Sequence, residues 1–176
     1  MAQSTIELQI GKIGQLFESF DPMPFRERDL DRNAEEYIVG WARELPRHHR
    51  IQLRVHIPAG EASHENIAAV KDAFSRYFRY RAEVTRGSLR ELFRVGRYSL
   101  FVGLLVLALC VAIGQFLGGL PAAQPFGTFI KEGLIILGWV ANWRPIEIFL
   151  YDWWPIVLRR RLFERLAEAK VEFTSH

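Results

Sequence analysis

The chain has 176 residues, of which 49% are hydrophobic and 24% charged, with a formal net charge of +3. That balance is too apolar for a disordered chain, and a single cysteine excludes a disulfide scaffold or a cysteine-based zinc finger. The overall mean hydropathy of +0.00 hides two populations: residues 98–158 are mostly apolar and aromatic, while residues 1–97 are charged and amphipathic.

In chain order, the first signal is Ile6, Leu8 and Ile10 alternating with Glu7 and Gln9, the period of a strand with one buried face. The residues up to Ile10 hold neither a basic stretch nor a continuous apolar run, so they are not read as a cleavable signal. The segment Phe20-Asp21-Pro22-Met23-Pro24-Phe25 follows, two prolines between aromatic anchors, read as a stiff entry to a helix. The helix is expected from about Asp29 to Glu44. Leu30, Ala34, Tyr37, Ile38, Trp41 and Leu45 form its apolar face, and Pro46 closes it. Ile51, Leu53, Val55 and Ile57 then alternate with Gln52, Arg54 and His56, a second strand ended by Pro58 and Gly60. Strand, helix and strand in that order predict a parallel crossover unit.

A second helix begins near Ser63 with Ile67, Val70, Phe74, Tyr77 and Phe78 on one face. Gly87 is expected to interrupt it. Ser88 and Glu91, in S-x-x-E spacing, would cap a new helix, with one long bent helix as the alternative. A real cap would make Ser88→Ala cost about 1 kcal/mol. Tyr98 to Leu120 is uncharged throughout and long enough to cross a hydrocarbon core of about 30 Å. A short turn, Pro121 to Gly127, leads to a second span from about Thr128 to Leu150. An interfacial stretch to Pro155, rich in Trp and Tyr, follows it. Asn142, Arg144, Glu147 and Asp152 interrupt this half, so a re-entrant second helix is the alternative. Val171 and Phe173 flank Glu172 in a last strand that can join the first two.

Basic residues mark both flanks of the apolar region. Arg76, Arg79, Arg81, Arg86, Arg90, Arg94 and Arg97 precede it, and Arg159, Arg160 and Arg161 follow it. Lys131 is the first basic residue of the intervening segment, so both termini are expected on the cytoplasmic side. Arg86, Arg90, Arg94, Arg97, Arg159, Arg160 and Arg161 are the candidates for contact with anionic lipid headgroups. Nucleic acid is not an expected partner, because the basic residues adjoin a span and no RNA- or DNA-binding signature occurs.

Arg144 and Glu147, three apart and so neighbours on a helix, are the candidate intramembrane polar pair. Pro145 between them removes a helix hydrogen bond and predicts a kink. Gly114 and Gly118 form a G-x-x-x-G, and Ser99 with Gly103 a looser version, surfaces for close helix packing within the hairpin or between copies. His48, His49, His56 and His64 lack the spacing of a metal site, and Cys110 lies mid-span where a reactive thiolate has no support. Gly11-Lys12-Ile13-Gly14 lacks the framework of a phosphate loop, and no nucleophile elbow occurs. No cofactor and no catalytic residue is assigned.

The stretch EGLIILGWVANWRPIEIFLYDWWPI, with FDPMPFRERDLDRNAEEYIVGWARE upstream, resembles a group of small bacterial inner-membrane proteins with two spans and no assigned function. The resemblance covers most of the chain and transfers no functional residue. The expected fold is therefore a membrane α-helical hairpin with a small cytoplasmic α/β module of β-α-β-α order plus a C-terminal strand. Residues 1–87 form the module. Residues 88–158 form the hairpin with its basic helix and aromatic stretch, and residues 159–176 return to the module. The expected role is a membrane-anchored scaffold or accessory subunit, with lipid, a second copy or another membrane protein as partners. The alternative is an oligomeric channel component built around Arg144 and Glu147.

Overall fold

The computed structural model describes residues 3–17, 30–46, 48–58, 64–118 and 126–175. The elements are β1 (Gln3–Gln9), α1 (Arg32–Glu44), β2 (Arg50–Ile57), α2 (His64–Gly118), α3 (Phe126–Ala141), α4 (Trp143–Glu147), α5 (Trp153–Ala167) and β3 (Lys170–Ser175). The chain is mostly helical, with one three-stranded parallel sheet in the order β1-β2-β3. It divides into two units, Met1–Thr85 with Leu158–His176, and Arg86–Val157. The proline-rich stretch before Asp29, the stop at Gly60 and most of the turn from Pro121 lie outside the described residues.

In the first unit the period-two pattern becomes a pleat. Ile6 aligns with Leu53 and Leu53 with Val171, while Leu8 aligns with Val55 and Val55 with Phe173. Ile6, Leu8, Ile51, Leu53, Val55, Ile57 and Val171 are buried in one cluster with Ile38, Val39 and Ala42 of α1. Val70, Phe74 and Phe78 of α2 and Leu162, Phe163 and Leu166 of α5 complete it. The opposite side of each strand is polar. Arg54 pairs with Glu7 at 3.2 Å, and Lys170 with Glu172 at 2.6 Å. The Lys170 ammonium, with help from Gln52 and Arg54, holds the Glu172 carboxyl below its ordinary pKa. That contribution is present at neutral pH and lost as the pH falls through the lowered pKa. Burial draws the Arg165 guanidinium pKa down; it donates to the carbonyls of Pro46 and His49 at 3.1 and 3.0 Å, tying α5 to the turn before β2.

Helix α1 starts where Asp31 caps it, its Oδ1 accepting from the Asn33 and Ala34 amides. Its buried face is rotated from the expected one. Ile38, Val39 and Ala42 point into the core, while Tyr37 and Trp41 stay 47% and 49% exposed and contact each other with ring centroids 6.2 Å apart. Aromatic rings can lie along the rim of a core with one face wet, and the smaller Val39 and Ala42 take the buried positions.

The expected break at Gly87 is absent. Helix α2 runs without interruption from His64 to Gly118, so Ser88 lies inside a helix and not at the start of one. A single glycine costs a helix only about 1 kcal/mol, which the surrounding helix absorbs.

Two helical stretches, Ile67–Leu117 and Gly127–Ala167, are long and apolar enough to cross a membrane. Only 17% and 22% of their most apolar portions are buried inside the protein, unlike the core helix of a water-soluble domain. Within the second unit α2 and α3 pack through glycine. A Cβ on Gly103 would lie 2.7 Å from Asn142 Oδ1 and 3.0 Å from the Ala141 carbonyl, and one on Gly138 2.6 Å from Leu107 Cδ1. On Gly96 it would lie 2.8 Å from Ile148, and on Gly114 3.3 Å from Lys131. The second apolar stretch is interrupted by a turn at Asn142 and a π-helical turn at Ile148–Asp152. Pro145, buried in the first turn of α4, has no amide hydrogen to continue the α3 ladder.

Candidate functional site

Four of the candidate arginines are gathered by helix geometry alone. Arg86, Arg90, Arg94 and Arg97 recur at helical spacing along one side of α2, all exposed and none in an ion pair with a described residue. Beside the row the same turns are packed, with Phe93 stacked on Phe149 at 6.1 Å and Gly96 against Ile148. Arg94 and Arg97 line a cleft of about 390 Å³ with Tyr98 and Phe101, so two cations stand one turn above two exposed aromatic rings. Guanidiniums above apolar rings suit a boundary where phosphate meets hydrocarbon.

Arg159, Arg160 and Arg161 are not brought together. Successive helical residues point about 100° apart. Arg159 and Arg161 are exposed, while Arg160 is half-buried with its Nε 3.2 Å from Glu164.

Arg144 and Glu147 do meet, at 3.2 Å, and the cluster is larger than the pair. Arg144 also lies 3.1 Å from Asp152, and the Trp143 indole donates to Glu147 Oε1 at 2.9 Å. A regular α-helix would place Asp152 about 80° round from Arg144. The wider π-helical turn at Ile148–Asp152 takes up roughly that angle and returns the carboxylate to the arginine's side. Asp152 was not legible as a partner because its spacing is wrong for an unbroken helix. Two carboxylates share one guanidinium here, so removing the cation leaves both uncompensated, a costly state near a low-dielectric boundary. Arg144→Ala is expected to lower accumulation in the membrane fraction more than Arg160→Ala, measured by quantitative immunoblot. Equal losses would reduce Arg144 to generic anchoring.

Asn142, four residues past Gly138, is a packing residue that the spacing of polar residues did not indicate. Its side chain is buried, and its Nδ2 donates to the Gly103 and Gly138 carbonyls at 3.0 and 2.9 Å. The seven-residue spacings Gly96, Gly103, Cys110 and Lys131, Gly138, Pro145 were the available signal, the repeat of two helices packed along a seam. Gly114 serves this intramolecular seam; the surroundings of Gly118 lie outside the described residues. Cys110 is buried.

His49 shares a hydrogen bond with Ser4 at 2.8 Å, and His48 packs edge-on against it. Among the described residues no group of three or more His, Cys, Asp or Glu side chains is placed to hold a metal ion.

These features define a class by architecture: one unit with a small three-stranded parallel sheet and its helices, and a second unit of long apolar helices with an exposed arginine row. No protein-family model, curated protein or solved structure matches the chain.

Proposed function

We propose that the protein is an integral membrane anchor of the bacterial inner membrane that presents its α/β unit at the cytoplasmic surface, as a scaffold or accessory subunit. The observation that carries this reading is the outward apolar surface of the hairpin. Phe101, Phe116, Phe129 and Trp139 are 68%, 72%, 77% and 64% exposed, a surface that water does not tolerate over two helices. The exposed row Arg86, Arg90, Arg94 and Arg97 before the uncharged run Tyr98–Leu120, and Arg159, Arg160 and Arg161 after the aromatic stretch that ends at Pro155, support an orientation with both termini cytoplasmic. The row supports contact with anionic lipid, worth about 1 kcal/mol per basic residue near the surface. Against the channel alternative, Arg144 is satisfied by Glu147 and Asp152 of its own chain and needs no second copy to pair it.

The test is reconstitution of the full chain into liposomes with reporters at both termini. Both reporters are expected on one side, with ion flux no greater than in protein-free vesicles. Reporters on opposite sides, or flux abolished by Glu147→Gln, would overturn the reading.

A further inference from the structure

The α/β unit contains a groove of about 650 Å³, lined by side chains from α1, α2 and α5. Its floor is built. Glu35, with its side chain only 15% exposed, accepts from the Tyr77 hydroxyl at 2.7 Å and holds Arg81 at 2.6 Å. Arg81 in turn lies over the Phe163 ring, 5.4 Å from its centroid. This carboxylate, phenol and guanidinium satisfy one another and fix the positions of the three helices' side chains.

The walls are different. Arg32, Arg43 and Arg159 line the same groove, and none of them has an ion-pair partner among the described residues. Arg32 and Arg43 stand at opposite ends of α1, eleven residues and so about 16 Å apart along its axis. Arg159 enters from α5, and Glu36 is the one further carboxylate. The lining thus carries four guanidiniums against two carboxylates. Like charges gathered in one concave site focus a positive potential that attracts an anion. Guanidinium forks match phosphate oxygens in geometry. The volume lies in the range of small-molecule sites.

We propose that this groove binds an elongated phosphorylated anion, either a soluble organic polyphosphate or the phosphate headgroup of a lipid. Arg43 and Arg159 grip its phosphates, Arg32 holds the far end, and the Glu35–Arg81–Tyr77 network keeps the floor rigid. Glu36 tempers affinity by repulsion. The proposal is separate from the anchoring role, because it concerns the α/β unit alone.

Inorganic tripolyphosphate, titrated calorimetrically into the full chain in phosphatidylcholine nanodiscs, is the probe. Saturable one-to-one binding is expected. The double variant Arg43→Gln with Arg159→Gln, both exposed and outside the core, should weaken it about tenfold or more. Glu36→Gln should tighten it, and Lys71→Gln, exposed on α2 and outside the groove, should leave it unchanged. Repeating the titration in discs containing phosphatidic acid identifies the source. Competition by the lipid assigns the groove to a headgroup, and undiminished binding assigns it to a soluble ligand. Absence of saturable binding, or equal affinity in the double variant, would overturn the proposal.

Discussion

Phe78→Ala is expected to unfold the α/β unit while leaving the protein in the membrane fraction. Phe78 is fully buried, with ring centroids 4.8 Å from Phe74, 5.3 Å from Tyr77 and 6.0 Å from Phe163. It is therefore the side chain through which α2 meets α5 beneath the sheet. Truncating such a ring costs about 3–5 kcal/mol, a large part of the roughly 5–15 kcal/mol that holds a domain folded. Limited proteolysis of the detergent-solubilised protein should show rapid cleavage in the β2 region, and amide exchange in β2 should lose protection. Trp41→Ala, about half exposed, is the contrast and should leave both close to wild type. Wild-type protection of β2 in Phe78→Ala would mean that this core is not what holds the sheet.

Gly103→Val carries the second large effect, in the other unit. The new side chain would enter space already held by Asn142 Oδ1 at 2.7 Å and the Ala141 carbonyl at 3.0 Å. Backbone cannot swing aside as a side-chain tip can, so α2 and α3 must separate. The separation also removes the Asn142 hydrogen bond to the Gly103 carbonyl. Overpacking of this kind costs about 1–3 kcal/mol, and bonds between apolar helices add about 0.6 kcal/mol on average. The thermal midpoint in detergent should fall and the α2–α3 region should become protease-sensitive. Gly133→Ala is the control: nothing lies within 4 Å of its Cβ, so the gain in helix propensity should leave the hairpin as stable or more so. Equal effects from the two substitutions would show that close approach at Gly103 is not what joins the helices.

These two sites differ in how far they could be read from the chain. Phe78 stood out by its helical spacing with Val70 and Phe74, and the core contains all three. In the sequence Gly103 is only half of a loose small-residue pair with Ser99, whereas its partners are Ala141 at the end of α3 and Asn142 in the turn that follows. Tyr37 and Trp41 show the opposite error. Their apolar bulk assigned them to the buried face of α1, yet the helix settles on Val39 and Ala42. Hydrophobicity ranks side chains by their cost in water, but the rotation of a helix is decided by which shapes fit the surface it meets.

Length, period and charge placement along the chain were sufficient for the three strands, the parallel β1-α1-β2 pairing, the two long apolar helical stretches and their basic flanks. Each depends on neighbours a few residues apart, where backbone geometry makes the pattern periodic. Tertiary structure alone decided that α2 passes through Gly87 unbroken, that a π-helical turn carries Asp152 to Arg144, and that Arg32, Arg43 and Arg159 open onto one groove. Those outcomes depend on contacts between segments far apart in sequence or on small changes of helical pitch. Both are selected by packing rather than by local preference.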